Sequence, residues 1–478
     1  MRRMFSFDEV VAAVGGTVVN RKGALSGTVF ISGVSTDTRT IEEGNIYIAL
    51  KGENFDGHNY TDQAVAKGAC AVIVNSATKV PSNAVGIVVK DTLKALGSIA
   101  EHYRFKLGCK VIAVTGSVGK TTTREIIKAA LEPSFLVWST KNNLNNEIGL
   151  PQTILSAPEG TKVLVVEMGM RGRGQIDYLT NIAHPDIAVI TNVGYSHIGI
   201  LGSREEIRAA KAEIINGLTE QGVLLVNGDD DFLFDYVRNV IPLNNGLAAV
   251  SVSDKLDGNV MNCPVLMTAY NLKENDGTDF DVKLASGDKS NTIEGVHIAL
   301  DGEHNVRNAC FAIMCAVLLK ADMEKTKEAL ASYLPMDGRG KTYRGTKYTV
   351  INDAYNASPE SMAAAFKNLD RTNPGSRKIA VLGGMLELGD ESSSLHEQTG
   401  KECGKYGFDK IIVTGDDRKA FIKGLKSVRS DAVVVSCADT DEVRHAVNDV
   451  IKQGDTVLFK ASHSFGFEKL AKEYIDND

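Results

Sequence analysis

The sequence predicts an α/β protein of three domains, the central one a doubly wound, mostly parallel sheet with a phosphate-binding loop. Short apolar runs alternate with segments of helical spacing along most of the 478 residues, a pattern typical of parallel sheets covered by helices. One of these runs leads into VTGSVGKTTT and then into REIIKAALE. This order of strand, turn and helix is the one in which backbone N–H groups bind phosphate.

Residues 1–107 are predicted to form a small α/β domain. NIYIAL and ACAVIV have the composition of buried strands, whereas YTDQAVAKG and TLKALGSIAEHYR have helical spacing. The polar stretch HYRFKLGCK separates these elements from the strand before the phosphate-binding loop. We therefore place the first domain boundary between residues 107 and 108.

Residues 108–334 form the predicted central domain, with KVLVVEMG, IAVITNVG and GVLLVNGDD as further buried strands. Between about 248 and 300 the pattern changes to alternation, as in TDFDVKLAS, and predicts a small antiparallel insertion. A third α/β section, residues 335–478, has YTVINDAYN, KIAVLGGM, KIIVTGDD and DTVLFKAS as strands. Ligands of such sheets gather at the carboxyl ends of strands, which in the central domain carry Glu167, Asn192 and Asn227.

Composition excludes several classes of protein. The formal net charge of −7 argues against a nucleic-acid partner, for which a basic face is expected. Seven Cys residues without a C-x-x-C pair indicate free thiols in a reducing compartment. The N-terminus lacks the apolar core of a signal peptide, and the longest apolar run, ACFAIMCAVLL, is too short to cross a bilayer. We expect a soluble, cytoplasmic protein without membrane insertion that binds small anionic ligands.

The phosphate-binding loop predicts a nucleoside triphosphate site. In this context Lys120 reaches the outer phosphates and the hydroxyl of Thr121 binds a magnesium ion. The general pattern for such loops has Gly where this chain has Val114, so the loop belongs to a narrower type. The missing Gly disfavours a mechanical ATPase.

Lys211 is the most unusual residue of SREEIRAAKAEIINGL, a predicted helix whose start has a capping-box pattern from Ser203 to Glu206. At about 100° per residue, Lys211 falls within an apolar stripe formed by Ile207, Ala210, Ile214 and Leu218. A lysine ammonium that points inward needs an ion-pair partner or a chemical function, because burying an unpaired charge is costly. An ion pair, or a stem that extends to water, would also account for it.

Other candidates stand at the ends of predicted elements. Glu167 and His197 follow strands and could hold magnesium ions, although a lone His can also be an ordinary hydrogen-bonded residue. Asn305 and Asn308 open an apolar helix that they could cap, or from which they could contact a base. Arg339 lies in the predicted junction, either as a cation for a transferring phosphoryl group or as a solvated charge.

Together these motifs resemble the Mur ligases, ATP-dependent enzymes that form amide bonds in peptidoglycan precursors. The family's loop reads TGxxGKTTT without the first Gly, as residues 115–123 do here. STDTRTIEEGNIYIALKGENFDGHNY, NLNNEIGLPQTIL, TNVGYSHIGILGS, GEHNVRNA, DAYNASPESM and MLELG follow in the family's order. Within the family, the chain most resembles the branch that adds D-alanyl-D-alanine to UDP-N-acetylmuramoyl-tripeptide. The D-N-P-R signature of the ligase for the third amino acid of the stem peptide is missing.

The resemblance implies a UDP-sugar-binding first domain, a central ATP-binding domain and a C-terminal Rossmann-like domain that closes on ATP, with hinges near 108 and 335. For ATP it implies Thr115, Gly116, Ser117, Gly119, Lys120, Thr121, Thr122, Asn308, Arg339 and Asp353. For the nucleotide-linked peptide it implies Thr36, Asp37, Arg39, Asn145 and Asn146. For the dipeptide it implies Tyr355 and Asn356.

The resemblance also implies the reaction and its catalytic residues, which are Lys120, Lys211, His197 and Glu167. ATP phosphorylates the peptide carboxylate, and the amine of D-alanyl-D-alanine attacks the acyl phosphate. Two magnesium ions are implied, one held by Thr121 and Glu167 and the other by His197 and Lys211. Lys211 would be carbamylated, because carbon dioxide converts a neutral amine into a metal-binding anion.

Three positions of the third section depart from the family pattern. Gly384 replaces the Asp of G-D-M-L-E-L-G, and Ser358 replaces the second Asn of Y-N-A-N-P. His463 lies in KASHSFGFEKL, where the family has K-G-S-R-x-x-x-M-E. A related ligase with a different amino-acid or dipeptide acceptor is therefore a second hypothesis. A non-catalytic nucleotide-binding relative is a third, which the retained Lys120 and Lys211 disfavour.

Overall fold

The structure is a computed structural model that describes residues 3–20, 30–242, 244–252, 263–274 and 277–476. The chain divides into two compact units. The first unit comprises Met1–Ala113, Leu136–Met168 and Asp177–Pro185. The second unit comprises Val114–Phe135, Gly169–Ile176 and Asp186–Asp478.

Strands and helices alternate along the chain, as the sequence predicts. The strands are β1 (Phe5–Ser6), β2 (Thr17–Val19), β3 (Phe30–Ile31), β4 (Gly33–Ser35), β5 (Asn45–Ile48), β6 (Ala71–Val74), β7 (Val85–Val88), β8 (Lys110–Thr115), β9 (Val137–Ser139), β10 (Val163–Glu167), β11 (Ile187–Ile190), β12 (Val223–Asn227), β13 (Gly246–Ser251), β14 (Val265–Glu274), β15 (Thr278–Ser286), β16 (Lys289–Ile298), β17 (Lys341–Arg344), β18 (Thr349–Asn352), β19 (Lys378–Leu382), β20 (Lys410–Val413), β21 (Val434–Ser436) and β22 (Thr456–Lys460). The α-helices are α1 (Phe7–Val14), α2 (Thr61–Ala66), α3 (Thr92–Leu107), α4 (Lys120–Leu131), α5 (Gly149–Ser156), α6 (Gln175–Ala183), α7 (Ile198–Leu201), α8 (Arg204–Ala212), α9 (Asp231–Val240), α10 (Glu303–Leu319), α11 (Met323–Ala331), α12 (Pro359–Arg371), α13 (Ser392–Gly404), α14 (Arg418–Val428), α15 (Thr440–Val450) and α16 (Phe467–Asp476).

The first unit contains a sheet in the order β2-β7-β6-β5-β4, in which only β2 runs antiparallel to its neighbour. The predicted strands NIYIAL and ACAVIV are β5 and β6, and the predicted helices are α2 and α3. A buried apolar cluster covers this sheet and comprises Tyr47, Ala49, Ala64, Ala69, Val72 and Val74. In the same unit β9 pairs with β10 in parallel.

The second unit has two sheets. In the first of them β11, β12, β13 and β14 are parallel, and β14, β15 and β16 are antiparallel, so the predicted antiparallel insertion is confirmed. Helix α10 packs against α4, and every residue of α10 from Asn308 to Ala316 is buried. A helix buried on all sides lies in a core, which explains the apolar run ACFAIMCAVLL.

The C-terminal sheet, as we call the second of these sheets, has the order β17-β18-β22-β19-β20-β21. It is parallel except for β17. The predicted α/β class, with a mostly parallel central sheet and a Rossmann-like C-terminal sheet, is confirmed. All seven cysteines are free thiols. In the described ranges no helix combines the length and the apolar character that crossing a bilayer requires.

We predict that Phe311→Ala lowers the free energy of unfolding by about 3–5 kcal/mol, because it leaves a cavity in the core around α10. Phe311 is 0% exposed, whereas Leu334 in the same unit is 74% exposed and supplies the control variant Leu334→Ala. Urea denaturation followed by circular dichroism measures both variants. A loss no larger for Phe311→Ala than for Leu334→Ala would contradict this assignment of the core.

Candidate active site

The phosphate-binding loop joins β8 to α4, and two glycines determine its shape. Gly119 has a φ angle of 83° and immediately precedes α4. Gly116 has a φ angle of 150°, and a Cβ atom built on it would lie 1.9 Å from Oγ1 of Thr191. A side chain at Gly116 would therefore push the loop away from the residues that follow β11.

Asn192 connects the loop to the end of β11. Its Oδ1 accepts the N–H of Val118 at 3.0 Å, and its Nδ2 donates to the carbonyl of Val118 at 3.0 Å. Its own carbonyl accepts the N–H of Ser117 at 3.1 Å. The Oγ of Ser117 accepts the N–H of Gly194 at 2.8 Å. Sequence reasoning placed Asn192 at a strand end without a role, and these long-range contacts supply one.

Lys120 is the first residue of α4, where the helix dipole favours an anion. Its Nζ donates to the carbonyl oxygens of Gly116 at 2.8 Å and of Ser117 at 3.3 Å. Thr115 is buried, and its carbonyl accepts the N–H of Thr191 at 3.0 Å. The predicted loop residues therefore surround the start of α4.

Arg339 reaches the same helix. Its Nη2 donates to Oγ1 of Thr121 at 3.2 Å, and its guanidinium carbon lies 3.6 Å from the centre of the Tyr355 ring. The Tyr355 ring centroid is 5.6 Å from that of His463. The alternative of a solvated linker charge at Arg339 is therefore wrong. The predicted dipeptide contact Tyr355 therefore lies beside His463, one of the departures from the family pattern.

Lys211 lies in the last turn of α8 and is 1% exposed. Ser203 caps this helix as predicted, since its Oγ accepts the N–H of Glu206 at 3.2 Å. Burial holds the pKa of Lys211 well below its usual value, the charge of Lys120 lowers it further, and Glu360 opposes both. The predicted inward orientation is confirmed, and a stem that extends to water is wrong.

His197 precedes the short helix α7 and has a left-handed backbone with a φ angle of 69°. Its Nδ1 lies 2.5 Å from Oε2 of Glu387, in the MLELG motif. Burial lowers the pKa of His197, the charge of Lys120 also lowers it, and Glu387 raises it. One ring nitrogen of His197 is thus bound by Glu387, which lies in the loop after β19 of the C-terminal sheet.

Glu167 belongs to the first unit and is 3% exposed at the end of β10. Its Oε1 accepts Nδ2 of Asn145 at 2.8 Å, and its N–H donates to Oγ1 of Thr140 at 3.0 Å. The neighbouring Asn146 accepts the N–H of Gly149 at 2.9 Å and so helps to start α5. The predicted metal ligand and the predicted substrate contact Asn145 are brought together.

A pocket of about 770 Å³ lies within the first unit and is lined by Ser32–Asp37, Thr40, Glu42, Glu43, Asn45, Gln152, Leu155 and Ser156. Thr36 accepts Nε2 of Gln152 at 2.9 Å. Arg39, outside the lining, pairs with Asp37 at 2.6 Å and, by donating hydrogen bonds, lowers the pKa of Asp37. The hydroxyl and amide groups of this lining suit a ligand rich in oxygen atoms.

Oδ1 of Asn308 accepts a hydrogen bond from Oγ1 of Thr123, in α4, at 3.0 Å. Capping of α10 by an asparagine is wrong in the described structure, because the N-cap residue is Gly302 and no side chain caps the helix. The amide of Asn305 instead donates to the carbonyl of Asp301 at 2.9 Å.

Oδ2 of Asp353 accepts a hydrogen bond from Nζ of the buried Lys460 at 2.5 Å. Nζ of Lys460 also donates to the carbonyl of Asn356 at 3.2 Å. Sequence reasoning missed Lys460, whose position at the end of an apolar strand is the one signal the sequence offers. This lysine links the predicted ATP contact Asp353 to the predicted dipeptide contact Asn356.

Two departures from the family pattern have local explanations. A Cβ atom at Gly384 would lie 3.2 Å from Cζ of Phe465, so the Phe465 ring occupies the space that a side chain at residue 384 would need. Ser358 is the N-cap of α12 and accepts the N–H of Ser361. Neither departure alters a contact of the phosphate-binding loop.

The loop, the cations Lys120 and Arg339 and the buried Lys211 define an enzyme that uses a nucleoside triphosphate. Family models match three consecutive stretches of the chain: the Mur ligase family catalytic domain at residues 30–104, the Mur ligase middle domain at 114–316, and the Mur ligase glutamate ligase domain at 338–463. The chain belongs to the Mur ligase family.

Individual relatives are similar over their full length. The UDP-N-acetylmuramoyl-tripeptide--D-alanyl-D-alanine ligase of Bacillus subtilis strain 168 is 38% identical over 467 residues, with 94% of each chain covered. A crystal structure of MurF from Acinetobacter baumannii has a TM-score of 0.85 at 28% identity, with 99% of each chain covered. MurF ligase from Thermotoga maritima in complex with ADP has a TM-score of 0.75 at 28% identity, covering 93% of this chain and 97% of that one.

We predict that Asn192→Ala weakens ADP binding about 10-fold or more, because the loop loses both side-chain hydrogen bonds to Val118. Isothermal titration calorimetry measures the affinity. Asn239→Ala removes an exposed amide that bonds only within α9 and serves as the matched control. Equal ADP affinity for the two variants would contradict the role given to Asn192.

Proposed function

We propose that the chain is an ATP-dependent ligase that joins D-alanyl-D-alanine to the peptide carboxylate of UDP-N-acetylmuramoyl-tripeptide, in cytoplasmic peptidoglycan precursor synthesis. The observation that carries this proposal is the convergence of Lys120 and Arg339 on the phosphate-binding loop and on Thr121, at the start of the helix that follows it. The full-length similarity to ligases of this specificity supports it. We propose domain boundaries at 107/108 and 334/335, and a monomeric enzyme.

The first step transfers a phosphoryl group. Lys120 and the N–H groups at the start of α4 hold the β and γ phosphates, and Arg339 neutralises charge on the γ phosphate. A carboxylate oxygen of the tripeptide attacks the γ phosphorus while the bond from this phosphorus to the bridging oxygen breaks. ADP leaves, and the peptide carries an acyl phosphate.

The second step forms the amide. The amine of D-alanyl-D-alanine attacks the acyl carbon and loses a proton, and inorganic phosphate leaves with one of the original carboxylate oxygens. We assign Tyr355 and Asn356 to the dipeptide, Asn308 and Asp353 to the nucleoside of ATP, and the first-unit pocket with Thr36 and Asp37 to the UDP group. Water must be excluded, because it would hydrolyse the acyl phosphate.

The proposed magnesium ligands fit the ion chemically. The hydroxyl of Thr121 and the carboxylate of Glu167 are oxygen donors, which magnesium prefers. Within the described ranges, no group of three or more His, Cys, Asp or Glu side chains could hold a metal ion. When bound, magnesium neutralises charge on the phosphates. We assign Thr121, Glu167 and His197, the last through Nε2, to the binding of two magnesium ions.

We further propose that Lys211 is carbamylated. Its burial at the end of α8 favours the neutral amine, which is the form that reacts with carbon dioxide. The product is an anion with two oxygen donors, so the same position would change from a buried cation into a ligand for the second magnesium ion.

A ligase with another acceptor is the second candidate function. Phe465 beside Gly384 and His463 beside Tyr355 make the surroundings of the proposed dipeptide site more aromatic than the family pattern implies. An acceptor with a larger apolar side chain than alanine would suit such surroundings.

We predict that phosphate release from ATP with UDP-N-acetylmuramoyl-tripeptide requires D-alanyl-D-alanine and is absent with D-alanine alone or with no acceptor. A coupled phosphate assay and mass spectrometry of the product measure this. Turnover with a different amino acid or dipeptide, and none with D-alanyl-D-alanine, would favour the second candidate. Absence of turnover with every acceptor would contradict both.

We predict that Lys211→Ala lowers ligase turnover by at least about 10³-fold, because it removes a ligand and its charge from the metal site. Short carboxylic acids should restore part of the activity by placing a carboxylate in the vacated space. Lys405→Ala, on an exposed lysine of the same unit, is the control. Unchanged turnover in Lys211→Ala would exclude a functional carbamate.

A further inference from the structure

The His197 segment, which we define as residues 194–199, is bound by two carboxylates of the C-terminal sheet. Oε1 of Glu360 accepts the N–H of Tyr195 at 2.9 Å. Oε2 of Glu387 bonds Nδ1 of His197 at 2.5 Å, and the carbonyl of Glu387 accepts the N–H of Gly199 at 3.0 Å. Every second residue of the segment, Tyr195, His197 and Gly199, is therefore bound by Glu360 or Glu387.

The two surfaces meet without space for a side chain. A Cβ atom at Gly194 would lie 2.3 Å from Oε1 of Glu360. A Cβ atom at Gly199 would lie 2.4 Å from the backbone nitrogen of Gly389. Each glycine thus permits one of the contacts: a methyl group at Gly199 would force the segment away from the Gly389 backbone, and one at Gly194 would displace the carboxylate of Glu360.

Glu387 is itself held in place by buried groups. The N–H of Met385 donates to Nε2 of His396 at 3.1 Å, and the N–H of Leu386 donates to Oγ of Ser462 at 3.2 Å. Both His396 and Ser462 are buried. The position of the Glu387 carboxylate therefore follows from the packing of the C-terminal sheet, so the His197 contact senses where that sheet lies.

Glu360 is held by the helix that begins beside it. It lies in the first turn of α12, where Ser358 is the N-cap. Its Oε2 is buried and has no hydrogen-bond partner in the described structure, and its charge acts on Lys211. A carboxylate oxygen that is buried without a hydrogen-bond partner costs free energy, unless neighbouring groups are stabilised by its charge.

We propose that Glu360 and Glu387 form an acidic clamp, a pair of positioning residues that orient the His197 segment when the C-terminal sheet lies against it. The clamp fixes His197 by its Nδ1 and sets the backbone of Tyr195 and Gly199. It thereby couples the position of the C-terminal sheet, which carries the proposed dipeptide contacts, to the orientation of a phosphate-site residue. Its kinetic consequence rests on the proposed ligase function, whereas its structural consequence does not.

Hydrogen exchange and steady-state kinetics of the full-length protein test the clamp. Glu387→Ala should speed amide exchange across residues 195–199 and lower kcat about 100-fold, with a KM for ATP within about 3-fold of the original. Glu387→Gln, which can still accept the His197 N–H, should lose only about 10-fold. Glu391→Gln removes an exposed charge four residues away and is the control.

Gly199→Ala separates the clamp from general damage to the fold. Alanine is favoured within a helix such as α7, so the added methyl group disturbs the backbone contacts with Gly389 and Glu387 and removes neither carboxylate. The loss in kcat should resemble that of Glu387→Ala, and the double variant should be no worse than the poorer single variant, because both changes break one contact. Gly407→Ala, at a glycine with open space around it, is the control.

The proposal is overturned if Glu387→Ala and Gly199→Ala match their controls in exchange rate, or if exchange changes while kcat does not. A protein that exchanges as expected, but ligates no acceptor before mutation, would retain the structural clamp and refute the proposed function instead.

Discussion

The close passage of the phosphate-binding loop over the residues after β11 is the constraint on which the rest of the site depends. Gly116 can approach Thr191 only because it has no side chain. The next residue, Asn192, then binds the loop through both ends of its carboxamide. The same stretch continues through Gly194 to His197, so one connection shapes the phosphate site and presents the imidazole. A displacement of this connection would disturb phosphate binding and the contacts with Glu360 and Glu387 together.

The charges of the site follow from that geometry. Lys120 lies near enough to Lys211 and His197 to lower the pKa of each, in addition to the effect of burial. The charge of Lys120 at the start of α4 therefore favours the neutral forms of the two other basic groups. Two carboxylates beside the C-terminal sheet oppose this effect. Glu360 raises the pKa of Lys211, and Glu387 raises the pKa of His197. The pKa values of Lys211 and His197 are thus set jointly by burial, by the charge of Lys120 and by these two carboxylates.

Much of the fold could be predicted from the sequence, because strand and helix periodicities are local. The antiparallel insertion and the inward Lys211 followed from alternation and helical phase. The roles of Asn192, Glu360 and Lys460 could not, because each depends on a partner far away in the chain. The capping alternative for the asparagines of α10 was wrong for the same reason, since Asn308 bonds Thr123 of another helix instead. Local patterns place a side chain on an element, but only packing selects its partner.

In the proposed reaction, the free energy of ATP hydrolysis is transferred to the amide bond through an acyl phosphate. The most direct measurement uses UDP-N-acetylmuramoyl-tripeptide with ¹⁸O in its reacting carboxylate, followed by ³¹P NMR of the phosphate released during ligation. One ¹⁸O atom should appear in each phosphate, because the leaving phosphate takes a carboxylate oxygen with it. Phosphate without ¹⁸O, formed together with the amide product, would contradict the mechanism and the assignment of the γ-phosphate contacts to this transfer.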